Sequence, residues 1–176
     1  MFFTTKQKFI LETLRSLGCV RRRQLHALVW GRFQEGNFEI TTASMDAMLR
    51  QIRVGTTDVR MDDELVWQSG HDLDCRCLEA IDVMIELTGG KAQDFSTKTG
   101  SSCLLRFSFG RGSGLKLFTV VSMDIPPVEL AVQAKERVIW LSDRGEAPKG
   151  LTLPPKHFFA ARLPDGSHRF YGSNGP

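Results

Sequence analysis

The sequence predicts an α+β protein, with a winged helix-turn-helix over residues 1–70 followed by a small α+β domain over 71–176 built on an antiparallel or mixed sheet. Three observations carry that reading. Apolar residues recur at helical spacing in three short stretches of the first third, then give way to a hairpin pattern. Positive charge gathers in the same region: residues 1–53 hold nine Lys or Arg against four acids, while 54–176 hold 14 against 16. Beyond residue 100, short apolar runs bounded by Gly and Pro read as strands.

The first helix is expected to open after Thr4 or Thr5, either of which can cap it, and to stop at Gly18. Phe9, Ile10, Thr13, Leu14 and Leu17 form its inner stripe, with Lys6, Lys8, Glu12 and Arg15 largely off it. Cys19-Val20 and the run Arg21-Arg22-Arg23 lead into a short second helix marked by Leu25, Leu28 and Val29. Residues 31–37, with two glycines, read as a loop. A third helix is expected from Thr41 or Thr42 to about Arg53, with Met45, Met48, Leu49 and Ile52 inward. Residues 54–61, an Asp62-Asp63 turn and Glu64 to Trp67 then read as a hairpin, completing the order of a winged helix.

Residues 68–73, containing Gly70, are the expected joint. A fourth helix follows from Asp74 to Leu87, with Cys75, Leu78, Ile81, Val83, Ile85 and Leu87 as candidate buried positions and Gly89-Gly90 as its stop. After a polar stretch to Ser102, strands are expected over 103–109 and 115–121, joined by Gly110-Arg-Gly-Ser-Gly114. Pro126-Pro127 are placed to open a helix over 128–134. A strand over 137–142 and a hairpin of 158–163 with 167–171 about Pro164-Asp-Gly166 end the chain. This αββαβββ order is loosely that of a degenerate restriction-endonuclease-like core. No internal repeat or low-complexity segment is present in the sequence.

Composition bounds the function. With 41% hydrophobic and 24% charged residues the chain can bury a core, and its apolar runs are too short to span a bilayer. Met1-Phe2-Phe3 passes straight into Thr4, Thr5 and Lys6, so no secretory leader is expected and a cytoplasmic location is. Cys19, Cys75, Cys77 and Cys103 lack framework spacing and are expected to be reduced. His71, Cys75 and Cys77 are too few ligands for zinc, at the wrong spacing, so neither metal nor cofactor is expected.

The residues expected to meet double-stranded DNA follow from the helix-turn-helix geometry. The third helix enters the major groove, bringing Thr42, Ser44 and Asp46 in its early turns, with Arg50 and Arg53 beyond. Arg21, Arg22 and Arg23, at the start of the second helix, are placed for phosphate, as are Lys6 and Lys8. Arg60 on the wing can reach the backbone, although Asp62, Asp63 and Glu64 at its tip repel it. An adaptor that contacts protein instead of DNA is the rival reading.

Catalysis is not expected. The strands over 104–109 and 115–121 contain no carboxylate, and Asp124, Glu129 and Lys135 do not form the acid and acid-x-Lys set a metal-dependent nuclease needs. The loop Gly110 to Gly114 has no helix behind it to cradle phosphate, and His26, His71, His157 and His168 are scattered singly. Asp143 to Glu146 reads as a solvated turn, and Phe107, Phe109, Phe118, Trp140, Phe158 and Phe159 read as core.

Residues Thr5 to Leu14, Gly18-Cys19-Val20, Gln24-Leu25 and the run Met48-Leu49 to Ile52 resemble the opening winged helix of the replication-relaxation family of plasmids and integrative conjugative elements. More loosely, the strand Arg137 to Leu141 and the hairpin 158–171 resemble those of small relatives. The resemblance implies a DNA-binding accessory or regulatory protein of a mobile element, acting in replication, mobilisation or transcriptional control. It transfers no catalytic residue, because the acidic ligands of the larger members' nuclease-like domain are missing here. A homodimer, or a protein partner of the second domain, is the expected assembly.

Overall fold

A computed structural model describes residues 2–34, 39–98, 103–123, 136–142 and 153–172. Among them are four α-helices and two β-sheets, a mixed α+β arrangement. The expected helix over 128–134 and the turn at Asp143 to Glu146 lie outside the described residues, as do Asp124, Glu129 and Lys135. No described helix is long and apolar enough to cross a membrane.

The chain opens with helix α1, Thr5–Leu17. Thr4 caps it: the Gln7 amide donates to the Thr4 hydroxyl at 3.3 Å, and the Thr4 amide donates to the Gln7 side-chain oxygen at 2.9 Å. Gly18 ends it at φ +73°, where a side chain would also collide with the ring of His71. Strand β1, Cys19–Arg21, follows at once, a strand that three residues inside a basic run do not announce. Helix α2 spans Arg22–Phe33 and α3 spans Thr42–Gly55. Strands β2, Val59–Met61, and β3, Leu65–Gln68, close the hairpin, and β1 joins β3 so that the small sheet has the order β1-β3-β2, antiparallel throughout.

Gly31 departs from its expected loop and sits inside α2. The reason lies across the molecule. Helix α4, Cys75–Thr88, ends in Gly89-Gly90, and a methyl group built on Gly31 would come within 2.4 Å of the Gly90 carbonyl oxygen. One on Gly90 would meet the Ala27 carbonyl at 2.3 Å. Two backbones thus pack directly, and the helical glycine is kept for contact rather than for a turn.

The second sheet contains β4 (Gln93–Ser96), β5 (Leu105–Phe109), β6 (Lys116–Ser122), β7 (Arg137–Ser142), β8 (His157–Arg162) and β9 (His168–Tyr171). They lie in sequence order. The sheet is mixed: β6, β7 and β8 run parallel, and the flanking pairs run antiparallel. β4 occupies a polar stretch with an exposed Gln93-Asp94 start, so its sequence carries no apolar strand signal.

A continuous apolar core joins the two sheets. Ile10, Leu14, Leu25, Leu49 and Val66 on the N-terminal side belong to the same buried cluster as Ile81, Met84, Leu105 and Ile139. α4 supplies the bridge through Ala80, Ile81, Val83 and Met84. Cys75, expected inside, is exposed because it opens the first turn of α4, while Ile85 and Leu87 are only half-buried.

Candidate nucleic-acid interface

The three consecutive arginines do not present three free charges. Arg21 Nη1 and Arg23 Nη2 each donate to Asp82 Oδ2 on α4 at 2.8 Å. Arg22 Nη1 donates to Asp46 on α3 at 2.8 Å, and its Nε donates to the Asp62 carbonyl at 2.8 Å. Charge-assisted bonds of this length are the strong class, so the triplet ties α2 to α4, to α3 and to the β2–β3 turn. Gln24 reinforces the junction from within: it is buried, accepts from the Arg21 amide at 2.8 Å and donates to the Leu78 carbonyl at 2.6 Å.

This arrangement accounts for the acidic turn. Asp62 Oδ1 accepts from the Glu64 and Leu65 amides at 2.8 and 2.7 Å, and those hydrogen bonds hold its carboxyl below the usual carboxylate range. The Glu64 carbonyl in turn receives the Arg22 amide at 2.8 Å, giving the first turn of α2 an acceptor. Glu64 also approaches Arg21 at 3.8 Å. The turn is therefore folded against the start of α2.

The other candidate residues divide by environment. Asp46 is occupied by Arg22. Ser44 donates from its hydroxyl to the Thr41 carbonyl at 2.8 Å, while Thr41 caps α3 by accepting from the Ser44 amide at 3.2 Å. Thr42 is exposed beside them. Arg50, Arg53 and Arg60 are exposed and form no ion pair among the described residues, nor does exposed Lys8 or half-exposed Lys6 on α1. Arg53, at the end of α3, and Arg60, on β2, line one groove of about 530 Å³ together with Thr56, Thr57 and Trp67.

Two features escape sequence reading. The first is the row Glu79, Asp82 and Glu86 on α4, spaced along one side of the helix. Asp82 takes the two arginines, and His168 on β9 lies between the others, Nε2 at 3.1 Å from Glu79 and Nδ1 at 3.0 Å from Glu86. Burial works against charging the imidazole, but hydrogen bonds and charge from both carboxylates outweigh it and raise its pKa. A neutral imidazole has a single N–H, so contact of both ring nitrogens with carboxylates requires the imidazolium. The clue in the sequence is acids interrupting an apolar helix. The second is Trp67, whose alternation with buried Val66 places it on the outer face of β3.

In the second sheet, Thr119 on β6 donates to buried Glu136 at 3.2 Å, and Arg106 on β5 lies 3.9 Å from the same carboxylate. No group of three metal-ligating side chains occurs among the described residues. Trp140 Nε1 donates to His157 Nδ1 at 3.1 Å, and burial lowers the pKa of that histidine. Compared with protein-family models, curated proteins and solved structures, the chain shows no match.

Proposed function

We propose that residues 5–68 are a winged helix-turn-helix that binds double-stranded DNA through α3 and β2. The order α1-β1-α2-α3-β2-β3 with the sheet β1-β3-β2 supports the module, and α3 takes the place of its recognition helix. The observation that carries the reading is electrostatic. Arg50, Arg53 and Arg60 are exposed on adjoining elements without an acid partner among the described residues, whereas Arg22 pairs with Asp46, and Arg21 and Arg23 share Asp82. Guanidinium groups in that state are available to phosphates and to guanine edges.

Thr42 and Ser44 stand at the first turn of the same helix, where helix-turn-helix proteins touch bases. For the wider role we adopt the one the family resemblance implies, an accessory or regulatory protein of a mobile element. The test is titration of random-sequence duplex DNA at several salt concentrations. The logarithm of the affinity should fall linearly with log salt, with a slope of about −0.9 per phosphate contacted. Absence of binding at low salt would sink the reading in favour of a protein-contacting adaptor.

A further inference from the structure

Across the β2–β3 ladder, Trp67 stands directly opposite Arg60. Residues paired in this way project on the same face, with Val59, Met61 and Val66 on the other. Trp67 is half-buried and Arg60 exposed, so the pair presents an aromatic wall and a cation side by side on the outer face. Arg53, at the end of α3, lines a groove of about 530 Å³ with Arg60 and Trp67, and Thr56, Thr57, Val59 and Met61 line it too, so it runs along the edge of β2. Among the described residues, no acidic side chain lines that groove.

This combination is more than paired DNA requires. A duplex offers a protein its phosphates and the edges of its bases, while the faces of the bases are hidden in the stack. The broad face of an indole is matched by the face of a base and only in part by its edge. An unpaired nucleotide exposes its base face with a phosphate on each side, which is what an indole sharing a groove with two guanidinium groups complements.

We propose that the Arg53–Trp67–Arg60 groove holds an unpaired nucleotide, its base against Trp67 and its flanking phosphates at Arg53 and Arg60. The preferred substrate is then a duplex with an adjoining single-stranded segment, such as a fork or tailed end. This rests on the DNA-binding reading above and narrows its substrate class.

The experiment compares one duplex in blunt form and with a single-stranded tail, using the full chain. The tailed DNA should bind about tenfold more tightly, the scale of one base stacked on an aromatic side chain. Trp67→Leu should erase that preference, bringing tailed and blunt DNA to equal affinity, and Trp67→Phe should retain most of it. A tail carrying 2-aminopurine at the first unpaired position reports on the native protein without substitution, and its emission should fall on binding. Equal affinity for both DNAs, a preference that survives Trp67→Leu, or unchanged 2-aminopurine emission would overturn the groove assignment while leaving duplex binding intact. Failure of both DNAs to bind at low salt would instead remove the DNA-binding reading itself.

Discussion

Asp82, in the middle of α4, accepts a 2.8 Å charge-assisted hydrogen bond from Arg21, 61 residues earlier at the end of β1. Both side chains are largely buried, and the bond fastens the N-terminal helices to the element that carries the second sheet. Replacing Asp82 by alanine leaves the Arg21 guanidinium without its acceptor in a poorly solvated place. The expected cost is about 1–3 kcal/mol in denaturant unfolding. A double-mutant cycle with Arg21→Ala should show positive coupling, and additive losses would mean that the bond contributes nothing of its own.

Gly31 and Gly90 provide the apolar counterpart of that fastening. A methyl group at position 31 would lie 2.4 Å from the Gly90 carbonyl oxygen, a backbone atom that cannot rotate away. In an isolated helix, Gly→Ala stabilises. Here the opposite sign is expected: Gly31→Ala should lose about 1–3 kcal/mol through overpacking, read as a lower melting temperature. A more stable Gly31→Ala protein would show that the two backbones do not meet.

His168 supplies a pH dependence with a defined sign. Its folded pKa is raised above the ordinary value of 6.5, so the protonated imidazole stabilises the fold below that pH. That contribution disappears as pH climbs through the raised value. Glu79 moves the other way: its hydrogen bond to His168 is the main cause of a lowered pKa, so its share is lost as pH falls through that depressed value. Among the described residues, the charges around this group include Glu86, Asp82 and Arg76 on α4, Arg162 on β8 and Arg21. Stability of wild type relative to His168→Gln should therefore decline on the alkaline side of 6.5. NMR titration that places the imidazole pKa below 6.5 would contradict the buried imidazolium.

The cysteines should separate by reactivity. Cys75 is exposed, whereas burial, helped by Asp74, pushes the Cys77 thiol to about 11. Burial also raises the thiol of Cys19. Because the thiolate is the nucleophile, iodoacetamide at neutral pH should label Cys75 first, and peptide mapping identifies the site. Cys77 or Cys19 modified as fast as Cys75 would contradict this burial.

Much of the fold was legible because its signals are local. Helical spacing of Ile10, Leu14 and Leu17, the cap at Thr4 and the stop at Gly18 locate α1 without reference to the rest of the chain. β1 and β4 were not legible, since a three-residue strand among arginines and a polar edge strand have no apolar alternation and depend on their partners β3 and β5. Gly31 misled because a helical glycine kept for backbone contact looks, in sequence, like a breaker. The candidate interface shows the same division. Arg50, Arg53 and Arg60 were readable as basic side chains, but the commitment of Arg21 and Arg23 to Asp82 is a contact across 59 and more residues that no local pattern records.

The central claim is that the α3–β2 face, and not the start of α2, meets the phosphates. It is tested most directly by salt-dependent anisotropy titration of duplex DNA with the wild type and with Arg50→Ala/Arg53→Ala/Arg60→Ala. An Arg111→Ala/Lys116→Ala variant, which alters exposed cations at the β5–β6 turn, serves as control. The account predicts weaker binding and a salt slope shallower by about 2–3 in the triple variant, with the control unchanged. An unaltered slope in the triple variant, from a protein that still binds DNA, would contradict it.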